Sequence, residues 1–259
     1  MYATNYFERG ILTTMKGVTL TAPSKIYIGL YLSNPGETGA AGNEVDYNGY
    51  ARQEIGFTEP AKMFNGIGIK NIEDIQFPTS NKEVGTATYI GLSDSKIGGN
   101  MLAYGKVTED LPISAGEAPM LLAGEVMYYL TGDLSNSYKS KVLNVLRGKN
   151  IQGFNPYMTL FNGDPENGGA ELTGENYERV ALNFGVPKVT ETGQTEIKLA
   201  ETARFPRPTT TWGNWAYSAI YDASENGEPV WTQEKTPSKP IKKSYTPIIN
   251  EGDLIASIN

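Results

Sequence analysis

Asp94 and Asp222 each end a ten-residue phrase, "GTATYIGLSD" (85–94) and "GNWAYSAIYD" (213–222), so two carboxylates occupy matched places about half a chain apart. Paired carboxylates are the equipment of glycoside hydrolysis, one as acid and the other as base or nucleophile. Each Asp also follows an apolar run and precedes a turn rich in Gly, Asn and Ser, where an Asp side chain commonly caps the turn. The capping role is the expectation here, because a duplicated acid serves catalysis only if both copies are active. Other chemistry is narrow. The chain holds no histidine and no cysteine, which removes the commonest general base, the Ser-His and Cys-His nucleophile systems, disulfides and nearly every zinc site.

"NGDPEN" (162–167) gathers oxygen donors as a calcium loop does, but lacks the Gly at position six and the Glu at position twelve of an EF-hand. No metal and no cofactor is expected. Trp212, Trp215 and Tyr217 could form an aromatic platform for sugar rings, and strand alternation places Trp215 and Tyr217 on one face. The matched slots earlier in the chain hold Val84, Ala87 and Tyr89, so the swap fits packing or an interface as readily as a ligand site. Arg52 and Arg179 each follow a Tyr by two residues. The planar guanidinium suits them to fix the long loop before them. "KTPSKPIKK" (235–243) brings Lys235, Lys239, Lys242 and Lys243 together in a chain of net charge −7. Such a run reads as a solvated strand edge and loop, and with Trp212 and Trp215 it forms the candidate interface.

These matched positions belong to a duplication of nearly the whole chain. "NYFERGILTTMKG" (5–17) aligns with "NSYKSKVLNVLRG" (136–148), and "YIGLYLSNP" (27–35) with "YMTLFNGDP" (157–165). "YARQEIGF" (50–57) aligns with "YERVALNF" (177–184), Phe77-Pro78 with Phe205-Pro206, and Gly124-Glu125 with Gly252-Asp253. Phe7, Ile11, Leu12 and Met15, like Tyr138, Val142, Leu143 and Leu146, fall on one helical face. Asn5 with Glu8 has the form of a capping box, and Gly17 and Gly148 are helix stops. After each helix come six or seven short period-two segments separated by Gly-, Asn- and Pro-rich turns. The expected fold is mainly β: two tandem antiparallel β-sandwich domains, each preceded by a short amphipathic helix, over 1–130 and 137–259 with a linker at 131–136. The polar, glycine-rich loops 36–49 and 163–176 fit either a contact arm or a mobile surface loop.

Hydrophobic residues at 39% and charged residues at 20% describe a mildly acidic globular chain. The acidic balance argues against nucleic acid or an anionic membrane as partner. No apolar run approaches the roughly 20 residues needed to span a bilayer, and "MYATNYFERG" lacks the design of a signal peptide.

The order Y-x-x-L-[YF], [GN]-Y-x-R, F-P, W-G, [GA]-I-x-D-A, a glycine-rich turn and a late G-[DE] resembles the small β-sandwich tail fibre and minor tail proteins of bacteriophages. "TWGNWAYSAIYDASENG" (211–227) carries the pattern most fully. The first repeat departs from it, with Val84 at the tryptophan slot and "LSDSKIGGNML" (92–102) at the Asp-Ala ending. The resemblance implies a non-enzymatic virion protein of tail, neck or baseplate, assembled in the host cytoplasm into a symmetric ring with copies of itself and other virion proteins. It supplies no catalytic residue. The alternatives are a capsid decoration protein and a carbohydrate-binding adhesin touching a host glycan through the Trp212 region.

Overall fold

A computed structural model describes residues 1–258. The first repeat contains β1 (Tyr2–Ala3), α1 (Asn5–Thr13), β2 (Ile26–Tyr31), β3 (Gln53–Ile55), β4 (Ala61–Met63), β5 (Gly66–Lys70), β6 (Ile75–Gln76), β7 (Gly85–Ser93), β8 (Met101–Ile113), β9 (Met120–Leu121) and β10 (Met127–Leu130). The second contains α2 (Asn136–Val145), β11 (Tyr157–Phe161), β12 (Val180–Ala181), β13 (Lys188–Val189), β14 (Thr195–Lys198), β15 (Ala203–Arg204), β16 (Gly213–Tyr221), β17 (Pro229–Ile241), β18 (Ile248–Ile249) and β19 (Ile255–Ser257).

The two halves are tandem antiparallel β-sandwich domains, each led by a helix, and their strand orders correspond. The large sheet runs β1-β8-β7-β2-β3 in one repeat and β17-β16-β11-β12 in the other. A bridge between Leu134 and Trp231 takes the place of β1, which pairs Ala3 with Ala103. The small sheets are β10-β5-β4 and β19-β14-β13, and the ladders β6-β9 and β15-β18 complete the set. The apolar stretch 120–130, which reads as one strand in the sequence, is two strands in different sheets. The turn at 122–125 divides it, with the Glu125 carboxylate accepting the Leu122 amide at 2.7 Å.

Both long hairpins carry the same irregularity. Ala87 pairs with Leu111 and Tyr89 with Lys106, so residues 107–110 stand opposite Thr88 alone. Likewise Trp215 pairs with Lys239 and Tyr217 with Glu234, leaving 235–238 opposite Ala216. Extra residues on one strand of a pair force it to bulge away from its partner.

The helices start one residue earlier than their sequence signals suggest. Thr4 caps α1, accepting the Phe7 amide at 3.4 Å, and Ser135 caps α2, accepting the Tyr138 amide at 3.0 Å. Asn5 and Glu8 therefore form no capping box, since both side chains have partners in the other repeat. The Thr195 amide donates to Glu8 Oε2 at 3.0 Å, and the Thr195 hydroxyl donates to Asn5 Oδ1 at 2.9 Å. Gly17 and Gly148 end the helical segments at φ of 78° and 80°, where a Cβ would be strained.

The helices are exchanged between the repeats. α1 packs on β8 of its own repeat and on β14 and β19 of the other, while α2 packs on β17 and reaches across to β5. Phe7, Ile11 and Leu12 from α1 and Tyr138, Val142 and Leu143 from α2 join one core cluster that draws on both halves. The Tyr138 and Thr14 hydroxyls meet at 2.5 Å, and Leu20 bridges to Ile151. Within 131–136, Leu134 and Ser135 are buried in this arrangement.

Glu8 is only 5% exposed, and burial raises its carboxyl to about 7 against the hydrogen bonds from Thr195. The folded chain thus holds this proton over a pH range where the unfolded chain releases it. The stabilising contribution of the neutral group is full below pH 4.5 and is lost as pH rises through about 7. Glu8→Gln should retain the acceptor and flatten that decline, read as a wild-type minus variant difference in unfolding free energy between pH 5 and pH 8.

Candidate functional site

The anchors shared by the two repeats converge on one polar node in each. In the first, the Tyr50 hydroxyl accepts the Leu30 amide at 2.9 Å, joining the Y-x-R motif to the Y-x-x-L strand. Its ring stacks on Phe77, the Phe of the F-P pair, at 6.1 Å. In the second, the Tyr177 hydroxyl accepts the Leu160 amide at 3.1 Å and its ring stacks on Phe205 at 6.3 Å. Burial pushes both phenols well above their ordinary range, so they remain protonated.

Each Arg extends this node to the hairpin end. Arg52 makes a two-pronged pair with Glu44, Nε to Oε1 and Nη2 to Oε2 both at 2.7 Å, and its Nη1 donates to the carbonyls of Ser95 and Gly98. Arg179 pairs with Glu171 at 3.1 and 2.8 Å and donates to the carbonyls of Ala223 and Asn226. Burial works to raise the Glu171 carboxyl, but hydrogen bonds from Arg179 and Thr159 outweigh it and hold the group below the usual carboxylate range. The glutamates are absent from the sequence-derived set. Their signal is nonetheless present, a Glu eight residues before the Arg in both "EVDYNGYAR" (44–52) and "ELTGENYER" (171–179).

Asp94 and Asp222 close the turns that the two arginines grip. Asp94 Oδ1 accepts the Asn100 amide at 2.7 Å and Oδ2 accepts the Asn100 side chain at 2.9 Å. Asp222 Oδ1 accepts the Glu228 amide at 2.7 Å, and Oδ2 lies 3.5 Å from Lys141 Nζ. Both carboxylates thus cap their turns, the role their sequence context suggests. Asp94→Ala or Asp222→Ala should cost about 0.5–2 kcal/mol, the usual loss for a side-chain cap, seen as a lower denaturation midpoint without loss of fold.

The indole platform is not at the surface. Trp212 is 4% and Trp215 7% exposed. Trp212 packs edge-on to Tyr177 at 5.1 Å and donates Nε1–H to the Glu175 carbonyl at 3.0 Å, while Trp215 Nε1 donates to Ser218 Oγ. Loop 163–176 covers the first ring. This corrects both the stacking platform and the use of Trp212 and Trp215 as interface residues.

The lysines lie differently. Lys235 Nζ sits 5.2 Å over the Trp215 ring and Lys239 Nζ 4.2 Å over the Tyr245 ring, while Lys242 and Lys243 are exposed. "NGDPEN" is committed to local contacts: Asp164 accepts the Glu166 amide at 2.9 Å, and the Glu166 carboxylate accepts from Asn136 at the start of α2. Among the described residues no group of three or more carboxylates is arranged to hold a metal ion, and no helix is long and apolar enough to cross a membrane.

No curated protein matches the chain. A family model does, twice. The model for the podophage GP4 fiber I protein gp80 aligns with residues 2–128 and again with 133–257, one match to each structural repeat. With nearly the whole chain accounted for by these two copies, the protein belongs to the podophage GP4 fiber I protein family, as a tandem duplication of its unit.

Proposed function

We propose that this phage structural protein is a non-enzymatic building block of the tail apparatus, in tail, neck or baseplate, assembled in the host cytoplasm into a symmetric ring. The observation that carries this reading is the reciprocal exchange of α1 and α2. It joins the two repeats through a shared core, while the side chains that could have done chemistry, Asp94, Asp222, Arg52 and Arg179, are engaged in holding turns and loops. Such a body offers its surface rather than a reactive site, and its two related but unequal halves suit head-to-tail repetition.

Burial of Trp212 and Trp215 leaves the glycan-binding alternative without its platform. Quantitative mass spectrometry of purified virions tests the proposal. Several copies per particle, in a ratio to the portal or tail proteins that a rotational symmetry allows, is the expected result. Absence from washed particles would contradict it.

A further inference from the structure

Two copies of one fold within a single chain provide an internal control for what folding requires. In the first repeat a groove of about 440 Å³ opens beside the bulge at 107–110, with Ile90, Leu111, Met120, Leu122 and Tyr129 along its apolar lining. Met120, Leu122 and Tyr129 are each more than a third exposed. The strand registers put Ser218, Lys239, Ile248, Asn250 and Ser257 at the corresponding positions of the second repeat. Four of these five are polar, Ile248 being the exception, and the backbone forms equally well around them, so the fold does not demand the apolar set. An exposed apolar patch that folding does not require marks a contact surface.

The charges beside these surfaces indicate the occupant. The first bulge carries Glu109 and Asp110, both exposed, and Glu125 also lines the groove, where Lys106 and the Met1 amino group are the cations. At the matching bulge and just beyond it the second repeat presents Lys235, Lys239, Lys242 and Lys243. Among the described residues neither Glu109 nor Asp110, nor any of these four lysines, forms an ion pair within the chain. Pro237 and Pro240 and the aliphatic lysine stems give the basic segment an apolar body to set into a groove, with ammonium groups at the rim.

We propose that the apolar groove of the first repeat receives the lysine-bearing bulge of the second repeat of a neighbouring copy of this chain. Groove and bulge are different surfaces, so the contact is heterologous and leaves a free groove at one end and a free bulge at the other, an arrangement that gives a ring when the rotation between copies closes. This rests on the reading of adjoining copies in the virion, and names the surfaces through which they adjoin. Charge complementarity would set partner orientation and encounter rate, and salt would weaken it.

The absence of native cysteine makes disulfide trapping selective. Leu122→Cys and Pro237→Cys, both at exposed positions, are introduced in separate chains that are expressed together during infection, and purified virions are oxidised. Covalent dimers containing one chain of each type are expected, lost on adding Lys239→Glu with Lys242→Glu to the second chain. They should return when the first chain also carries Glu109→Lys with Asp110→Lys. An amine-reactive cross-linker applied to the same virions reports whether copies adjoin at all. Adjoining copies without the 122–237 bond would overturn the groove contact and leave the ring standing, whereas no inter-copy product of either kind would overturn both. A disulfide from Leu122→Cys to a cysteine of another virion protein would replace the occupant assigned here.

Discussion

Residues 1–130 expressed without the second repeat should fail to reach the native fold. The small sheet of the first repeat loses the helix that covers β5, with Tyr138, Val142 and Leu143, while the face of α1 that meets β14 and β19 is exposed. Each large apolar side chain so uncovered costs about 1.5–3 kcal/mol. Several together exceed the roughly 5–15 kcal/mol by which a domain is stable. The buried Glu8 would also lose its Thr195 partner. Circular dichroism should show an unfolded or aggregating fragment, with native signal returning when 131–259 is supplied in trans. Two fragments that each unfold cooperatively at the midpoint of the intact chain would contradict this.

The second large effect lies in the clamps. Arg179→Ala should destabilise the chain by about 1–3 kcal/mol, the cost of leaving partly buried hydrogen-bonding groups without a partner, because it leaves the Glu171 carboxylate beside Tyr177 and takes the donors from two turn carbonyls. The Arg179 side chain is 10% exposed, which separates it from the surface pair Lys25–Glu54, where Lys25→Ala should change stability by about 0–1 kcal/mol. Arg179→Lys should not restore the loss, since an ammonium cannot span two carboxylate oxygens and two carbonyls at once. Urea unfolding measures all three variants, and protease sensitivity within 163–176 should rise for both Arg179 variants.

What the sequence made legible follows from the distance over which each feature is encoded. Both helices and the turns at Asp94 and Asp222 are local patterns, and the duplication repeats Tyr-x-Arg and Phe-Pro, the residues that build the node in each half. Glu44 and Glu171 were missed although they keep their spacing to Arg52 and Arg179, because the intervening loop residues differ between the repeats and conceal the correspondence. The bulges are hidden in the sequence for a different reason. Alternation along β16 continues in the sequence through Trp215 and Tyr217, and only the length of β17 opposite creates the slack at 235–238. The helix exchange is encoded least locally of all. An amphipathic face specifies burial and not which sheet buries it, and the matched pair Glu8 and Lys139 shows this directly. Glu8 reaches Thr195 in the other repeat, while Lys139 donates to the nearby Gly132 carbonyl at 2.8 Å.

Electron cryomicroscopy of the intact virion should reveal several copies related by rotation about the tail axis, the groove beside 107–110 of each filled by residues 235–243 of the next. A single copy per particle, with neither repeat touching another chain, would contradict this arrangement.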